Sequence, residues 1–168
     1  MTLADVNAMD EAAVVRALGG VFEHSPWVAQ RAFAARPFAD VASLHAAMVA
    51  VVDRASDAEK LALLRAHPEL AGKAAVRGEL TTDSAKEQSG AGLAQCSPEE
   101  FATITDLNRR YNEKFGFPFI LAVKGYDRAG ILREFARRVD SDRSAEFAEC
   151  LAQIARITRF RLDALITP

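Results

Sequence analysis

Three histidines are the simplest candidates for proton transfer in this chain, because imidazole has an ordinary pKa of about 6.5 and exchanges a proton near neutral pH. They are His24, His45 and His67. His24 precedes a Ser-Pro pair typical of a helix start, and His45 lies inside a predicted helix at a surface or edge position. Both therefore have structural explanations. His67 stands before Pro68, which stiffens its backbone, and close to Gly72, which permits a tight turn. The sequence favours His67 as a general acid/base.

A second group of polar side chains has the spacing of one helix face. Ser84, Glu87 and Gln88 stand at i, i+3 and i+4, so a helical turn would project a hydroxyl, a carboxylate and a carboxamide together. Such a set suits a planar, nitrogen-rich ligand, since Glu accepts hydrogen bonds and Gln both donates and accepts. A solvated helix face that begins with a capping serine explains the same pattern. The residues alone leave both interpretations open.

Two arginines near the C-terminus could bind an anionic group of a ligand. Arg159 and Arg161 are two residues apart on a predicted helix and therefore point in different directions. One of them could hold a carboxylate through two parallel hydrogen bonds while the other stays solvated. The spacing does not choose between them.

The common catalytic and metal-binding templates are missing from the sequence. There is no Ser-His-Asp order, phosphate-binding glycine loop, dinucleotide fingerprint or HExxH motif. Cys96 and Cys150 are far apart and lack a zinc-ligand spacing, so we expect neither a metal site nor a disulfide framework. Free thiols favour a reducing, cytoplasmic setting.

The composition is that of an ordinary globular domain. The chain has 168 residues, 50% hydrophobic and 26% charged, with a formal net charge of -2. We expect a single domain over residues 1–168, with no attraction to nucleic acid or membrane. The N-terminus lacks a basic segment followed by an apolar one, no stretch is apolar enough to span a bilayer, and the final residues are not a peroxisomal tripeptide.

The elements that must position these residues are predicted to be helices, because apolar residues recur at intervals of three and four. The pattern indicates an all-α bundle of about eight helices. The exception is the apolar segment 117–123, which Pro118 keeps from starting as a helix and which we expect to be extended. Its backbone groups would then need partners. The predicted helices cover residues 11–18, 27–35, 41–54, 57–66, 85–89, 98–115, 128–139 and 144–165.

Local signals mark several of these helices. Ser97, Pro98 and Glu100 predict a capping box at the start of the 98–115 helix, and Gly116 predicts its end. Its apolar face is predicted to hold Phe101, Ile104, Leu107 and Tyr111. The 41–54 helix carries one apolar stripe at residues 41, 44, 48, 51 and 52, and we expect Asp83 or Ser84 to cap the 85–89 helix.

Five motifs, taken together and in order, resemble one enzyme family, the 2-oxo-4-hydroxy-4-carboxy-5-ureidoimidazoline (OHCU) decarboxylases. The resemblance extends from about Phe22 to Leu165 without a large insertion. One departure is Asp140, where we would expect Asn. The motifs are FEHSPW at 22–27, HPELAG at 67–72, SAKEQ at 84–88, AGL at 91–93 and LNRRYNEKFGFPFI at 107–120.

This resemblance implies an all-helical, homodimeric enzyme that uses no cofactor and catalyses the last step from urate to (S)-allantoin. His67 would be the catalytic proton donor, assisted by Glu87, and Arg161 matches the family's arginine better than Arg159 does. The substrate-binding residues would be Pro68, Ser84, Ala85, Lys86, Glu87, Gln88, Phe119, Ile120, Leu121, Ala122, Val123 and Arg161. The absent peroxisomal signal points to a bacterial-type cytoplasmic member.

Two other functions fit parts of the sequence. A hydrolase acting on a related ureide, such as 5-hydroxyisourate, would need a water-activating group, and a substrate with a carboxylate explains an arginine better. A non-catalytic helical domain that binds a ureide or a partner would keep the fold without the chemistry, and the intact His67, Glu87 and Gln88 argue against it.

Overall fold

The computed structural model describes residues 1–167, which form ten α-helices and two short 3-10 helices without a β-strand. This confirms the predicted all-α class. The α-helices are α1 (Leu3–Ala8), α2 (Glu11–Leu18), α3 (Pro26–Ala32), α4 (Val41–Asp53), α5 (Asp57–Ala66), α6 (Lys73–Arg77), α7 (Thr82–Gly90), α8 (Pro98–Phe115), α9 (Arg128–Arg138) and α10 (Arg143–Leu165); the 3-10 helices are Phe33–Ala35 and Leu93–Gln95.

The helix count differs from the prediction because of two short elements. Helix α1 has 6 residues and α6 has 5, too few for an apolar period to emerge from the sequence. Helix α7 starts three residues before the predicted residue 85, because Thr81 caps it by accepting a hydrogen bond from the Ser84 N–H. The predicted cap at Asp83 or Ser84 was therefore wrong. The predicted helix over 27–35 tightens into a 3-10 turn after Ala32.

Helix α8 shows the agreement between sequence signals and structure at both ends. Ser97 and Glu100 form a reciprocal capping box around Pro98, as predicted, and the helix ends at Gly116, which has a φ of 78°. That left-handed conformation carries no Cβ penalty at glycine. The prediction that Phe101 lies on the buried face was wrong: its side chain is 41% exposed, whereas Ile104, Leu107 and Tyr111 are buried.

The chain divides into two compact units, and the first comprises Met1–Ala66 together with residues 154–167. Within it, α3 packs against both α2 and α4. The predicted apolar stripe of α4 is largely buried, with Leu44 and Met48 at 1% and 0% exposure. His45, on the same helix, places Nε2 at 2.8 Å from the Ala155 carbonyl oxygen, so it has the structural explanation expected for it.

The second unit comprises residues 67–153 and is built around an aromatic core. Tyr111 of α8 contacts the rings of Phe115, Phe117, Phe119 and Phe135, with centroids 4.5 to 6.1 Å apart. The rings of Phe119 and Phe135 stack at 3.9 Å. Aromatic pairs of this kind add about 0.5–1.5 kcal/mol each beyond the area they bury. The core therefore holds segment 117–123, which forms neither helix nor strand, firmly against α8 and α9.

None of the helices in residues 1–167 combines the length and the apolar character that crossing a bilayer requires.

Candidate active site

His67 directly follows the last residue of α5, where the sequence placed it. The residue before a proline is driven out of helical geometry, so Pro68 ends the helix at Ala66. The His67 side chain is buried, with the residue 7% exposed. A buried imidazole with its backbone fixed by proline is well held for proton transfer. Its catalytic role stays a prediction.

The loop that follows His67 is tightly folded. Ala71 has a φ of 47°, a left-handed conformation that costs a non-glycine residue roughly 1–2 kcal/mol. A Cβ added at Gly72 would lie 2.5 Å from the Glu69 Cβ, so only glycine fits there. This close approach is the tight turn that the sequence indicated at Gly72. The cost at Ala71 must be met by interactions elsewhere in the loop.

Two buried carboxamides hold the backbone of this loop. The Gln88 Oε1 accepts from the Ala71 N–H at 2.9 Å, and the Gln88 Nε2 donates to the Glu69 carbonyl at 3.2 Å. The Asn108 Nδ2 donates to the Leu70 carbonyl at 2.9 Å. Three consecutive loop residues are thus anchored by side chains from α7 and α8.

The Asn108 carboxamide is satisfied at only one end. Its Oδ1 is buried and accepts no hydrogen bond within residues 1–167. Burying an unsatisfied acceptor costs about 1–3 kcal/mol. The Leu70 carbonyl fixes the orientation of the Asn108 amide, because turning the amide over would place Oδ1 against the carbonyl oxygen.

Helix α7 buries part of the predicted polar face. Ser84 and Gln88 are 4% and 6% exposed, and Glu87 is half-buried. The alternative of a fully solvated face beginning with a capping serine is therefore wrong, since Ser84 is buried and Thr81 is the cap. The spacing i, i+3, i+4 does place Ser84, Glu87 and Gln88 on one side of α7. Ala85 and Lys86 are exposed, and their side chains are not brought to that buried side.

A cavity of about 560 Å³ adjoins α7 in the second unit. Its lining includes Ala85 and Gln88 of the predicted site and Ala71 of the loop, together with apolar side chains from residues 76 to 101. Neither His67 nor Glu87 lines it. Gln88 is therefore accessible from this cavity while its carboxamide is held by the loop.

The hydrogen bonds of segment 119–123 alternate along the chain. The Ile120 carbonyl accepts from Arg138 Nη1 at 2.8 Å, and the Ala122 N–H donates to Gln153 Oε1 at 2.9 Å. In an extended chain, successive residues direct their backbone groups to opposite sides. Phe119 and Leu121 therefore face the other way, and neither their N–H groups nor their carbonyls make a hydrogen bond within residues 1–167.

Burial makes these open backbone groups of Phe119 and Leu121 significant. The two residues are 0% and 3% exposed. Buried backbone groups are nearly always paired, with protein, water or ligand. A donor and an acceptor on the same edge match the N–H and C=O of a urea or an imidazolone. That a ligand supplies the partners of these groups stays a prediction.

A buried ion pair fixes the opposite edge of the segment. Arg138 Nη2 lies 2.9 Å from Glu146 Oε2, and the two side chains are 0% and 3% exposed. Burial is the largest single influence on the pKa of the Arg138 guanidinium and acts to lower it. The hydrogen bond to Glu146 and the nearby charges of Cys150, Glu146 and Tyr111 together outweigh burial, so the net pKa is raised. The Tyr111 hydroxyl donates to Glu146, and burial raises the pKa of Tyr111. Arg138 is therefore a permanent cation that holds the Ile120 carbonyl.

Within the first unit, the two candidate arginines have different surroundings. Arg161 is 7% exposed, and its Nη1 lies 2.7 Å from Glu23 Oε2 and 3.3 Å from the Val21 carbonyl. Arg159 is exposed and pairs with Asp163 one turn along α10. A buried arginine that is fixed by a carboxylate suits ligand binding better than a solvated one, which supports the choice of Arg161.

Comparison with known proteins gives a family. The profile of the OHCU decarboxylases matches residues 7–163. The chain belongs to the OHCU decarboxylase family. It is 43% identical over 162 residues to the 2-oxo-4-hydroxy-4-carboxy-5-ureidoimidazoline decarboxylase of Haloferax volcanii, covering 96% of this chain and 94% of that protein.

Longer proteins contain the same domain. The chain is 40% identical over 166 residues to the uric acid degradation bifunctional protein PucL of Bacillus subtilis, covering 99% of this chain but only 33% of that protein. It also matches a crystal structure of (S)-allantoin synthase with a TM-score of 0.79 and 29% identity, covering 99% of this chain and 54% of that one. The chain thus spans a third to a half of these two relatives.

Sequence reasoning missed several buried polar residues that contact the candidate site residues or the loop after His67. Asn108, Arg138 and Glu146 were given no role, although each lies on the buried face of its helix. The signal was available for Asn108, since Ile104 and Tyr111 flank it on one apolar stripe. A polar residue on such a stripe indicates a specific buried hydrogen bond. Glu23 had no comparable signal, because its partner Arg161 lies 138 residues away.

Proposed function

We propose that this protein decarboxylates OHCU to (S)-allantoin. Family membership gives the substrate class, and the urea-like edge at Phe119 and Leu121 is the structural observation that supports it. OHCU and allantoin both carry a ureido group and a cyclic amide. Each can donate to a backbone carbonyl and accept from a backbone N–H.

The reaction breaks one carbon–carbon bond and needs no external electron acceptor. The carboxylate leaves as carbon dioxide, and the electron pair moves into the neighbouring imine of the ring. The ring hydroxyl becomes the carbonyl of allantoin, one ring carbon receives a proton on one face, and one net proton is taken up. Because the ring itself accepts the electrons, the proposal uses neither a metal nor an organic cofactor.

The protein's tasks are to orient the carboxylate, stabilise the developing anion and deliver one proton. We assign proton transfer to His67 with Glu87, and carboxylate or carbonyl anchoring to Arg161. Pro68, the residues of α7 from Ser84 to Gln88 and the segment Phe119 to Val123 would bind the ring and the ureido group. Within that segment the backbone groups of Phe119 and Leu121 would make the hydrogen bonds, because the Ile120 carbonyl and the Ala122 N–H are held by Arg138 and Gln153. Hydrogen bonds that strengthen as negative charge develops lower the barrier, since they favour the transition state over the bound substrate.

The test is production of (S)-allantoin from freshly generated OHCU, followed by circular dichroism. A His67→Gln variant should keep its far-ultraviolet spectrum and lose about 10²–10⁴-fold in turnover, the contribution of a general acid/base. His45→Gln is the matched control, because His45 is a partly buried histidine outside the proposed site. Its turnover should stay within twofold of the unaltered protein.

Two outcomes would contradict this proposal. Near-normal formation of (S)-allantoin by His67→Gln would remove His67 from the chemistry. Failure of the unaltered protein to release carbon dioxide from OHCU would favour the hydrolase or the non-catalytic domain instead. Turnover of 5-hydroxyisourate would identify the hydrolase, and calorimetric binding of allantoin without turnover would identify the binding domain.

The proposal also includes a homodimer as the active form, a cytoplasmic location and a single domain over residues 1–168. The family resemblance supports the first two, and the length of the chain supports the third. Light scattering on the purified protein measures the mass and so tests the dimer.

A further inference from the structure

We propose that Asn108 is a positioning residue for the His67 imidazole. It would act through the backbone of residues 68–71, here called the His67 loop. This inference rests on the proposed function, because it requires His67 to take part in the reaction. Asn108 lies in the segment 107–120 that resembles the family. The proposed function assigns a role to residues 119 and 120 of this segment and none to residues 107–118.

The first argument is the pattern of hydrogen bonds in the His67 loop. Asn108 anchors Leu70, while Gln88 anchors the residues on either side of it, Glu69 and Ala71. The peptide groups of the loop are therefore held from two helices, with the middle carbonyl depending on Asn108. Leu70 is 7% exposed, so removing the Asn108 donor would leave the Leu70 carbonyl buried and without its hydrogen bond.

The second argument is the backbone conformation that these bonds maintain. Ala71 sits at a φ of 47°, which an alanine adopts only when its surroundings impose it. Loss of one anchor would let the loop relax towards an ordinary conformation. The proline ring fixes one backbone torsion of Pro68, so this residue cannot absorb a shift at Leu70 freely. Such a shift would therefore move the adjacent His67 and its ring.

The third argument is the poor hydrogen bonding of Asn108 itself. It is 4% exposed and leaves Oδ1 without a partner within the described residues 1–167. An apolar side chain would remove the cost at Oδ1 but leave the buried Leu70 carbonyl unpaired, so the asparagine at this position serves the backbone of the His67 loop. One turn along α8, the Asn112 Nδ2 donates to Glu69 Oε1 at 2.7 Å and to the Asn108 carbonyl at 2.9 Å. Asn112 therefore fixes the side chain of Glu69 in the loop.

The experiment measures kcat, KM and the pH profile of kcat for Asn108→Leu, which keeps the branched shape of the side chain and removes the donor. We expect kcat to fall about 10- to 100-fold, the scale of a slightly misplaced catalytic group, with KM changed less than about twofold. The pH midpoint of kcat should also shift, because the imidazole changes its surroundings. Asn108→Ala provides a second variant should Asn108→Leu fail to fold, and it should show the same loss because alanine has no group that could donate to the Leu70 carbonyl.

Ile104→Val is the matched control. Ile104 lies one turn before Asn108 on α8 and is 1% exposed, so the variant loses a buried methyl group and keeps every hydrogen bond to the His67 loop. It should melt at a lower temperature and keep the kcat and the pH profile of the unaltered protein. A fall of kcat in Ile104→Val equal to that in Asn108→Leu would mean that kcat follows stability, and would overturn the proposal.

A double variant separates this proposal from the proposed function. If Asn108 acts through His67, then Asn108→Leu should reduce the residual rate of His67→Gln by less than about twofold. An undiminished 10-fold effect in that background would overturn the positioning role, as would an Asn108→Leu variant with normal kcat or one in which only KM rises. Failure of the proposed function looks different, because the unaltered protein would then form no (S)-allantoin.

Discussion

Replacing Glu146 with glutamine tests whether the Arg138–Glu146 pair supports the ligand-binding segment. The substitution keeps the shape of the side chain and an acceptor for the Tyr111 hydroxyl, but removes the negative charge beside a guanidinium that is 0% exposed. Breaking a buried ion pair from one side costs about 3–5 kcal/mol, because the remaining charge stays buried. The cost is a large part of the roughly 5–15 kcal/mol that stabilises a typical domain.

For a chain of this size, 1 kcal/mol lowers Tm by about 2–4 °C, so Glu146→Gln should lower Tm by roughly 6–20 °C. The measurement is thermal unfolding followed by circular dichroism, with urea unfolding to obtain the free energy. Glu134→Gln is the matched control on α9, since its partner Arg137 is 63% exposed and such surface pairs contribute only about 0–1 kcal/mol.

A double replacement tests the physical cause. Glu146→Leu with Arg138→Met removes both charges, and apolar replacements of a buried pair are often neutral or stabilising. The double variant still leaves the Ile120 carbonyl without its donor, so we expect a residual cost of about 1–3 kcal/mol and a raised KM for OHCU. A fall in Tm of less than about 2 °C for Glu146→Gln, or a double variant as unstable as the sum of the two single ones, would refute the reasoning.

Two further predictions concern the first unit. Arg161→Lys should lower kcat/KM at least about tenfold, because lysine cannot both keep the Glu23 contact and present a planar fork to a carboxylate. The control Arg159→Lys should change kcat/KM less than about twofold. Equal effects of the two variants in steady-state assays would contradict the assignment of Arg161. Burial lowers the pKa of His45 from its ordinary 6.5, despite the opposing hydrogen bond with the Ala155 carbonyl, so the unfolded chain binds more protons than the folded one below that pH. Stability should therefore be lost as pH falls through and below about 6.5, and urea unfolding at several pH values should show a smaller loss for His45→Gln; identical pH dependences would show that His45 does not contribute.

Local signals in the sequence were sufficient for most of the fold. Ser97, Pro98 and Gly116 each act within one turn of their own helix, and they mark both ends of α8 as predicted. Thr81 shows the limit of such signals, because several residues before α7 could cap it and the choice depends on where the chain enters the helix. Phe101 shows another limit, since an apolar residue can satisfy the helical period and still lie outside the core.

The sequence identified site residues whose own chemistry and immediate neighbours mark them. It did not identify contacts between residues that are far apart in the chain. His67 was identified from its own type and from its neighbours Pro68 and Gly72. The contact between Asn108 and Leu70 spans 38 residues, and the one between Arg161 and Glu23 spans 138. No periodicity or cap connects such positions, because they meet only through the packing of whole helices.

In the second unit, buried polar side chains fix a backbone segment, and neighbouring backbone groups of the same buried segment make no hydrogen bond within residues 1–167. Backbone groups bind ligands with little loss of conformational entropy, but only if the chain that carries them is already fixed. Here the Ile120 carbonyl and the Ala122 N–H are held by Arg138 and Gln153, while the backbone groups of Phe119 and Leu121 make no hydrogen bond within residues 1–167. The buried polar groups of the second unit, costly for stability, are therefore best explained by the precision that they give to the backbone beside them.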